Sequence, residues 1–182
     1  MRDFLTYDIS PVTVKPWDPL YPEVFSRVCE LLAVHFPGKQ YVHFGSTSVP
    51  GLRGKGVIDL FMITKPEEYK RCLATLESVG FQYPTFAPQP LPAHRPWRIA
   101  AIRHGDSIYK IHVHLTWQES PDHRNALRFN VALCRDPDLR EAYMKAKEDA
   151  VAKGFTGLTE YNQQKDSFLQ EFLRDGQDAS TR

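Results

Sequence analysis

An α/β (α+β) fold, a mixed β-sheet flanked by helices with a helical C-terminal segment, is predicted by three features of this sequence. The first is Val57 to Ile63, an apolar run broken only by Asp59, which reads as a central strand covered on both faces. The second is the pair Arg98–Arg103 and Ile108–Thr116, which forms a hairpin around His104-Gly105-Asp106-Ser107. The third is the helical spacing of apolar residues before the sheet and throughout the chain after Pro121. Strands joined by both a hairpin and helices require a mixed sheet, not a doubly wound parallel one.

In chain order, Val12–Val14 is predicted as a short strand ended by Pro16-Trp17-Asp18-Pro19. Pro22 suits a first helical turn, and Val24, Phe25, Val28, Leu31, Leu32 and Phe36 continue at helical spacing up to Pro37-Gly38. Tyr41–Phe44 is a strand that runs into Gly45-Ser46-Thr47-Ser48. Beyond the central strand, Thr64-Lys65-Pro66-Glu67 has capping-box spacing and opens a helix closed by Gly80. Phe81–Phe86 is a further candidate strand, and residues 87–96, with four prolines, form an irregular loop. Along Ile108–Thr116, Ile111, Val113 and Leu115 share one face and Lys110, His112, His114 and Thr116 the other. Leu139, Ala142, Tyr143, Ala146 and Ala150 form one helical stripe, and Tyr161, Phe168, Leu169 and Phe172 a second. Residues 1–174 are read as one domain, and the polar Asp175–Arg182 as a disordered tail.

Charge excludes some partners. With 23 basic and 22 acidic residues the net charge is +1, so no overall field favours nucleic acid or an acidic membrane. No apolar run approaches a membrane span, and Met1–Ser10 lacks the apolar core of a secretory signal. Cys29, Cys72 and Cys134 are scattered without a Cys-x-x-Cys pair and read as reduced thiols on inward helix faces. A cytoplasmic protein is expected.

The chemistry concentrates in residues 43–59. Four of the chain's ten glycines (Gly45, Gly51, Gly54 and Gly56) lie there. Gly45 lets main-chain amides approach an anion, Ser46, Thr47 and Ser48 add hydroxyls, and Arg53 and Lys55 add charge. A polar turn between two strands would use the same residues. Asp59 favours the functional reading, because a carboxylate within an apolar strand requires a cation, donors or a solvent-lined site. His112 and His114 share one strand face. They are either hydrogen-bonded imidazoles beside a cleft or, with Asp59, a metal site suited to Zn²⁺, Mn²⁺, Fe²⁺ or Ni²⁺.

Gly45-Ser46 followed by an acid on an apolar strand resembles the signature of the nucleotidyltransferase-fold superfamily. The string from His43 to Leu52, with Lys55 and Val57-Ile58-Asp59, resembles the GrpB-like family more narrowly. Val14-Lys15-Pro16-Trp17, His112-Val113-His114, Tyr143 with Lys147, and Tyr161 with Lys165 and Phe168 extend that likeness across nearly the whole chain.

The resemblance implies metal-dependent nucleotidyl transfer to a small molecule. Gly45, Ser46, Thr47, Ser48 and Arg53 would bind a nucleoside triphosphate such as ATP, with Asp59 and Lys55 catalytic. Asp59, with His112 and His114 nearby, would hold a divalent ion, Mg²⁺ or a transition metal. Two positions depart from the pattern: Phe61 stands where the superfamily has a second acid, and Asn130-Val131 where the family carries Arg-Asp. Activity is therefore left open. The alternatives are a non-catalytic nucleotide or phosphometabolite binder connected with coenzyme A metabolism, and a transition-metal enzyme built on Asp59, His112 and His114. The first follows from the fusion of GrpB-like domains to dephospho-CoA kinase in some bacteria.

Overall fold

The computed structural model describes residues 3–87, 89–154 and 167–174. Four strands, β1 (Gln40–Phe44), β2 (Val57–Ile63), β3 (Trp97–His104) and β4 (Ser107–Thr116), form one sheet in the order β1-β2-β4-β3. β2 and β4 are parallel at its centre, and β1 and β3 flank them antiparallel. The mixed sheet is as expected. Hairpin partners β3 and β4 need only a tight turn, whereas parallel β2 and β4 need the long crossover that runs through α2.

One sheet face carries Ile58, Leu60 and Met62 of β2, Ala100 and Ile102 of β3, and Tyr109, Ile111, Val113 and Leu115 of β4. Helices α1 (Tyr21–His35) and α2 (Tyr69–Ser78) close over it with Val24, Val28, Leu32, Cys72 and Leu76. This apolar burial is the main source of stability, at roughly 25 cal/mol per Å² of area removed from water. The opposite face carries the polar row. His123 of α3 (Pro121–Arg135) and Tyr7 of the N-terminal segment pack on it, α4 (Pro137–Ala152) packs on α3 and the loop after β1, and the N-terminal segment bridges Leu5 to Ala101 and Lys15 to Gly54. A second apolar cluster joins Val49 and Leu52 to Phe129, Leu133, Tyr143 and Met144, so the loop after β1 is wedged under the helices. Residues 167–174 are helical, and Phe168, Leu169 and Phe172 pack on that cluster.

Several expectations need correction. Val12–Val14 is not a strand: the only bridge beside it is that of the next residue, Lys15, to Gly54. Phe81–Phe86 likewise contributes one bridge, Gln82 to Ile99, at the sheet edge. The capping box does not form. A 3₁₀ turn (Pro66–Glu68) precedes α2, and the Thr64 hydroxyl donates to Glu68 Oε2 at 2.8 Å instead of capping an amide. Of the cysteines, Cys72 is buried and Cys29 half-buried, but Cys134 is exposed. The buried stripe of α4 is Tyr143, Met144, Lys147 and Ala150, while Ala142 faces solvent. The predicted helix around Tyr161 and Lys165 and the tail from Asp175 lie outside the described residues.

Candidate metal centre and phosphate loop

Strand register assembles the site. Asp59 on β2 pairs with Phe44 of β1 and with His112 of β4, and the next pair on the same face is Phe61 with His114. Three side chains separated by up to 55 positions in sequence are thus brought together by the β2–β4 ladder alone. Asp59 Oδ1 lies 3.1 Å from His112 Nδ1 and 3.7 Å from His114 Nε2. Donor atoms of the three residues all lie within 4.8 Å of one another.

Burial would raise the Asp59 pKa, but hydrogen bonds and charge from His112 and His114 outweigh it and hold the carboxyl well below the usual range. His114 is lowered to about 4, chiefly by desolvation, so it is neutral near pH 7. An ionised carboxylate beside a neutral imidazole is the protonation state that metal binding requires.

The donors fit a single transition-metal ion. Two ligands each about 2.1 Å from a tetrahedral ion lie ~3.4 Å apart, and the two Asp59–histidine distances bracket that value. His112 Nε2 is 3.1 Å from the Tyr7 hydroxyl, the kind of outer partner that fixes the orientation of a ligating imidazole. His114 Nδ1 is buried with no hydrogen-bond partner. Trp97 stacks on the His114 ring at 5.2 Å and approaches His112 at 4.8 Å, so both rings are braced. The residues do not fit a pair of Mg²⁺ ions, which need clustered oxygen ligands. Phe61 is fully buried and stacked on Phe44 with centroids 3.9 Å apart, so it seals the site and offers no ligand.

The loop closes on the same carboxylate. Gly45 has φ +79°, and a Cβ there would lie 3.0 Å from Asp59 Oδ2. Backbone and acid can touch only because the residue is glycine. Ser46, Thr47 and Ser48 form a 3₁₀ turn directly after it.

Most of the loop's polar side chains serve its architecture. Thr47 is buried, and its hydroxyl donates to Val57 O at 3.0 Å while facing His43 Nε2 at 2.9 Å. His43 stacks on Phe25, and burial lowers its pKa to about 4 against a raising influence from Asp59. The Ser48 hydroxyl donates to Gly45 O and accepts from Asn130 Nδ2, so Asn130 anchors the turn from α3. Arg53 pairs with Glu148 at 2.7 Å and Glu141 at 3.7 Å. Ser46 occupies space that only Gly54 leaves open, since a Cβ at position 54 would lie 2.4 Å from its Oγ. Lys55 lines a small cleft with Lys15 and Lys110, and Asp59 is not among that cleft's lining residues.

Two contributors, Tyr7 and Trp97, were not foreseen, and Lys147 was singled out only as part of the family pattern, without a contact. Lys147 is a buried lysine whose Nζ donates to Arg53 O and lies 4.5 Å from the centre of the Tyr143 ring. The i, i+4 spacing of Tyr143 and Lys147 was a usable signal for that contact. Trp97 follows from hairpin register, since it pairs with His114. Nothing local marks Tyr7, which reaches His112 across 105 positions.

A glycine-containing turn after one strand and an acid on the next, on a mixed sheet of this order, give the chain a nucleotidyltransferase-like fold. In fold it is similar to the Cid1 poly(U) polymerase solved with MgGTP bound (TM-score 0.51, 17% identity), over 75% of this chain and 44% of the polymerase. The chain belongs to the GrpB protein family, whose profile matches residues 11–175. It is similar to the crystal structure of GrpB from Enterococcus faecalis, with TM-score 0.66, 20% identity and coverage of 88% of this chain and 99% of that one. It is also 28% identical over 169 residues to the UPF0157 protein PA4798 of Pseudomonas aeruginosa, covering 91% of this chain and 68% of the relative.

Proposed function

We propose that this chain is a metal-dependent, nucleotidyltransferase-like protein that acts on a small molecule through a phosphate-bearing ligand such as a nucleoside triphosphate. Asp59, His112 and His114 would hold one transition-metal ion. The observation that carries this reading is the division of the Asp59 carboxylate: Oδ1 faces both imidazoles and Oδ2 faces the Gly45 backbone. A bound ion would act there as a Lewis acid toward a phosphoryl oxygen. The amides at the start of the Ser46–Ser48 turn would orient the phosphates, and the Phe44–Phe61 stack would exclude water from one side.

Metal analysis and titration of the purified chain provide the test. One equivalent of Zn²⁺ or Mn²⁺ is expected to bind in the micromolar range or tighter, with a loss of about 100-fold in Asp59→Asn and His114→Ala. Metal-dependent pyrophosphate release from a nucleoside triphosphate, absent in Asp59→Asn, would establish turnover. A protein that binds no divalent ion and responds to neither substitution would overturn the assignment.

A second reading is a non-catalytic nucleotide or coenzyme A-type binder. It is favoured by the engagement of Thr47, Ser48 and Arg53 in internal contacts and by the single carboxylate. Thermal stabilisation by ATP or coenzyme A without turnover would select it.

A further inference from the structure

Beside the candidate metal centre, on the same sheet face, lies a cleft of about 80 Å³ between the N-terminal segment, the residues entering β2, and β4. Val57 pairs with Lys110 two register positions before Asp59 pairs with His112. Because every second residue of a strand returns to the same face, the cleft begins roughly 7 Å along the sheet from the Asp59 cluster. Tyr7 forms the wall between them, lining the cleft while its hydroxyl reaches His112.

Three cations line this cleft: Lys15, Lys55 and Lys110. Lys110 Nζ is held by Ser10 Oγ at 2.7 Å and lies 5.1 Å from the centre of the Tyr7 ring. The rim is apolar. Ile9 (55% exposed) and Ile108 (56%) both border the cleft, and they are two of only six large apolar side chains left exposed among the described residues. Isolated exposed apolar residues are common, but two flanking one lysine-lined concavity match the composition of a ligand site. The volume suits one phosphate-sized group and is well below the roughly 300 Å³ of a site for a whole drug-sized ligand.

We infer that the Lys15/Lys55/Lys110 cleft is an anion subsite for a second small molecule, one carrying a phosphate next to an apolar body that rests on Ile9 and Ile108. This deepens the function proposed above by giving the acceptor a chemical class. Its role in a reaction rests on that reading, but the binding itself does not.

The experiment titrates the full chain with inorganic phosphate and with phenyl phosphate, by calorimetry or by shifts of backbone amide resonances. Phenyl phosphate is expected to bind in the millimolar range or better, about tenfold tighter than inorganic phosphate because of the apolar rim. Lys15→Gln and Lys110→Gln should each weaken it about fivefold. Lys15 is exposed, and among the described residues its hydrogen bonds are the backbone pair with Gly54, which Lys15→Gln leaves in place. His114→Ala should lose metal in the parallel assay and keep phenyl phosphate. Absence of binding, or binding indifferent to both lysine substitutions, would overturn the subsite even if metal binds normally. Equal affinity for the two probes would overturn the apolar contact. Phosphate binding without metal binding would instead sink the proposed function and leave the subsite standing.

Discussion

Asp59, His112 and His114 were legible because strand alternation reports which side chains share a face, and that rule survives folding. The duties of Thr47, Ser48 and Arg53 were not legible, because their partners Val57, Asn130 and Glu148 come from other elements. A pH dependence follows from two imidazoles, His114 buried and His43 half-buried. In an unfolded chain a histidine takes up its proton near pH 6.5, whereas His114 and His43 do so only at about 4. Between those values the unfolded state binds more protons, so stability is complete above about pH 6.5 and is lost as the pH falls toward 4. Urea unfolding at pH 7 and pH 4.5 should show this loss, on the order of 2 kcal/mol for His114. Curves that coincide at the two pH values would refute it. Gly45→Ala adds a Cβ against Asp59 Oδ2 at a positive φ and should cost about 1–3 kcal/mol by denaturant midpoint. It should also weaken metal binding.

At the scale of elements, the segments that find strand partners, short Tyr41–Phe44 included, were read correctly, and two β-prone segments without such partners were not. Val57–Ile63 and Ile108–Thr116 became β2 and β4, apart from one residue at the start of β4, because each has a partner along its whole length. Val12–Val14 and Phe81–Phe86 have the composition of strands, but the first is followed by a single bridge at Lys15 and the second has one at Gln82, and β-structure depends on pairing more than on intrinsic preference. The start of α4, which its helical stripe alone did not locate, is fixed by a cap. Asp136 accepts from the amides of Asp138 at 2.9 Å and Leu139 at 3.0 Å, and Pro137 occupies the first turn of α4. Asp136→Ala should therefore cost about 1 kcal/mol. Because α4 packs on the loop through Tyr143 and Met144, the same substitution should increase amide exchange around Val49 and Leu52. Unchanged exchange there would show that the helix and loop are not coupled.

For the molecule as a whole, composition and motif identified the family and the mixed sheet but gave no sign that the first residues are structural. Phe4 is in the main core, Leu5 pairs with Ala101, and Tyr7 spans Gln82 and His112. Removing the first eleven residues should lower stability by about 3–5 kcal/mol while preserving most of the far-UV dichroism. A truncated chain as stable as the full one would show that these contacts are idle. The long reach of this segment also orders events during synthesis. Translation proceeds from the N-terminus, at roughly 5–20 residues per second. Phe4, Leu5 and Tyr7 leave the ribosome many seconds before the β3–β4 hairpin that receives them, so they must wait as unpaired, partly apolar chain. The Asp59–His112 pair gains its Tyr7 wall only after that delay.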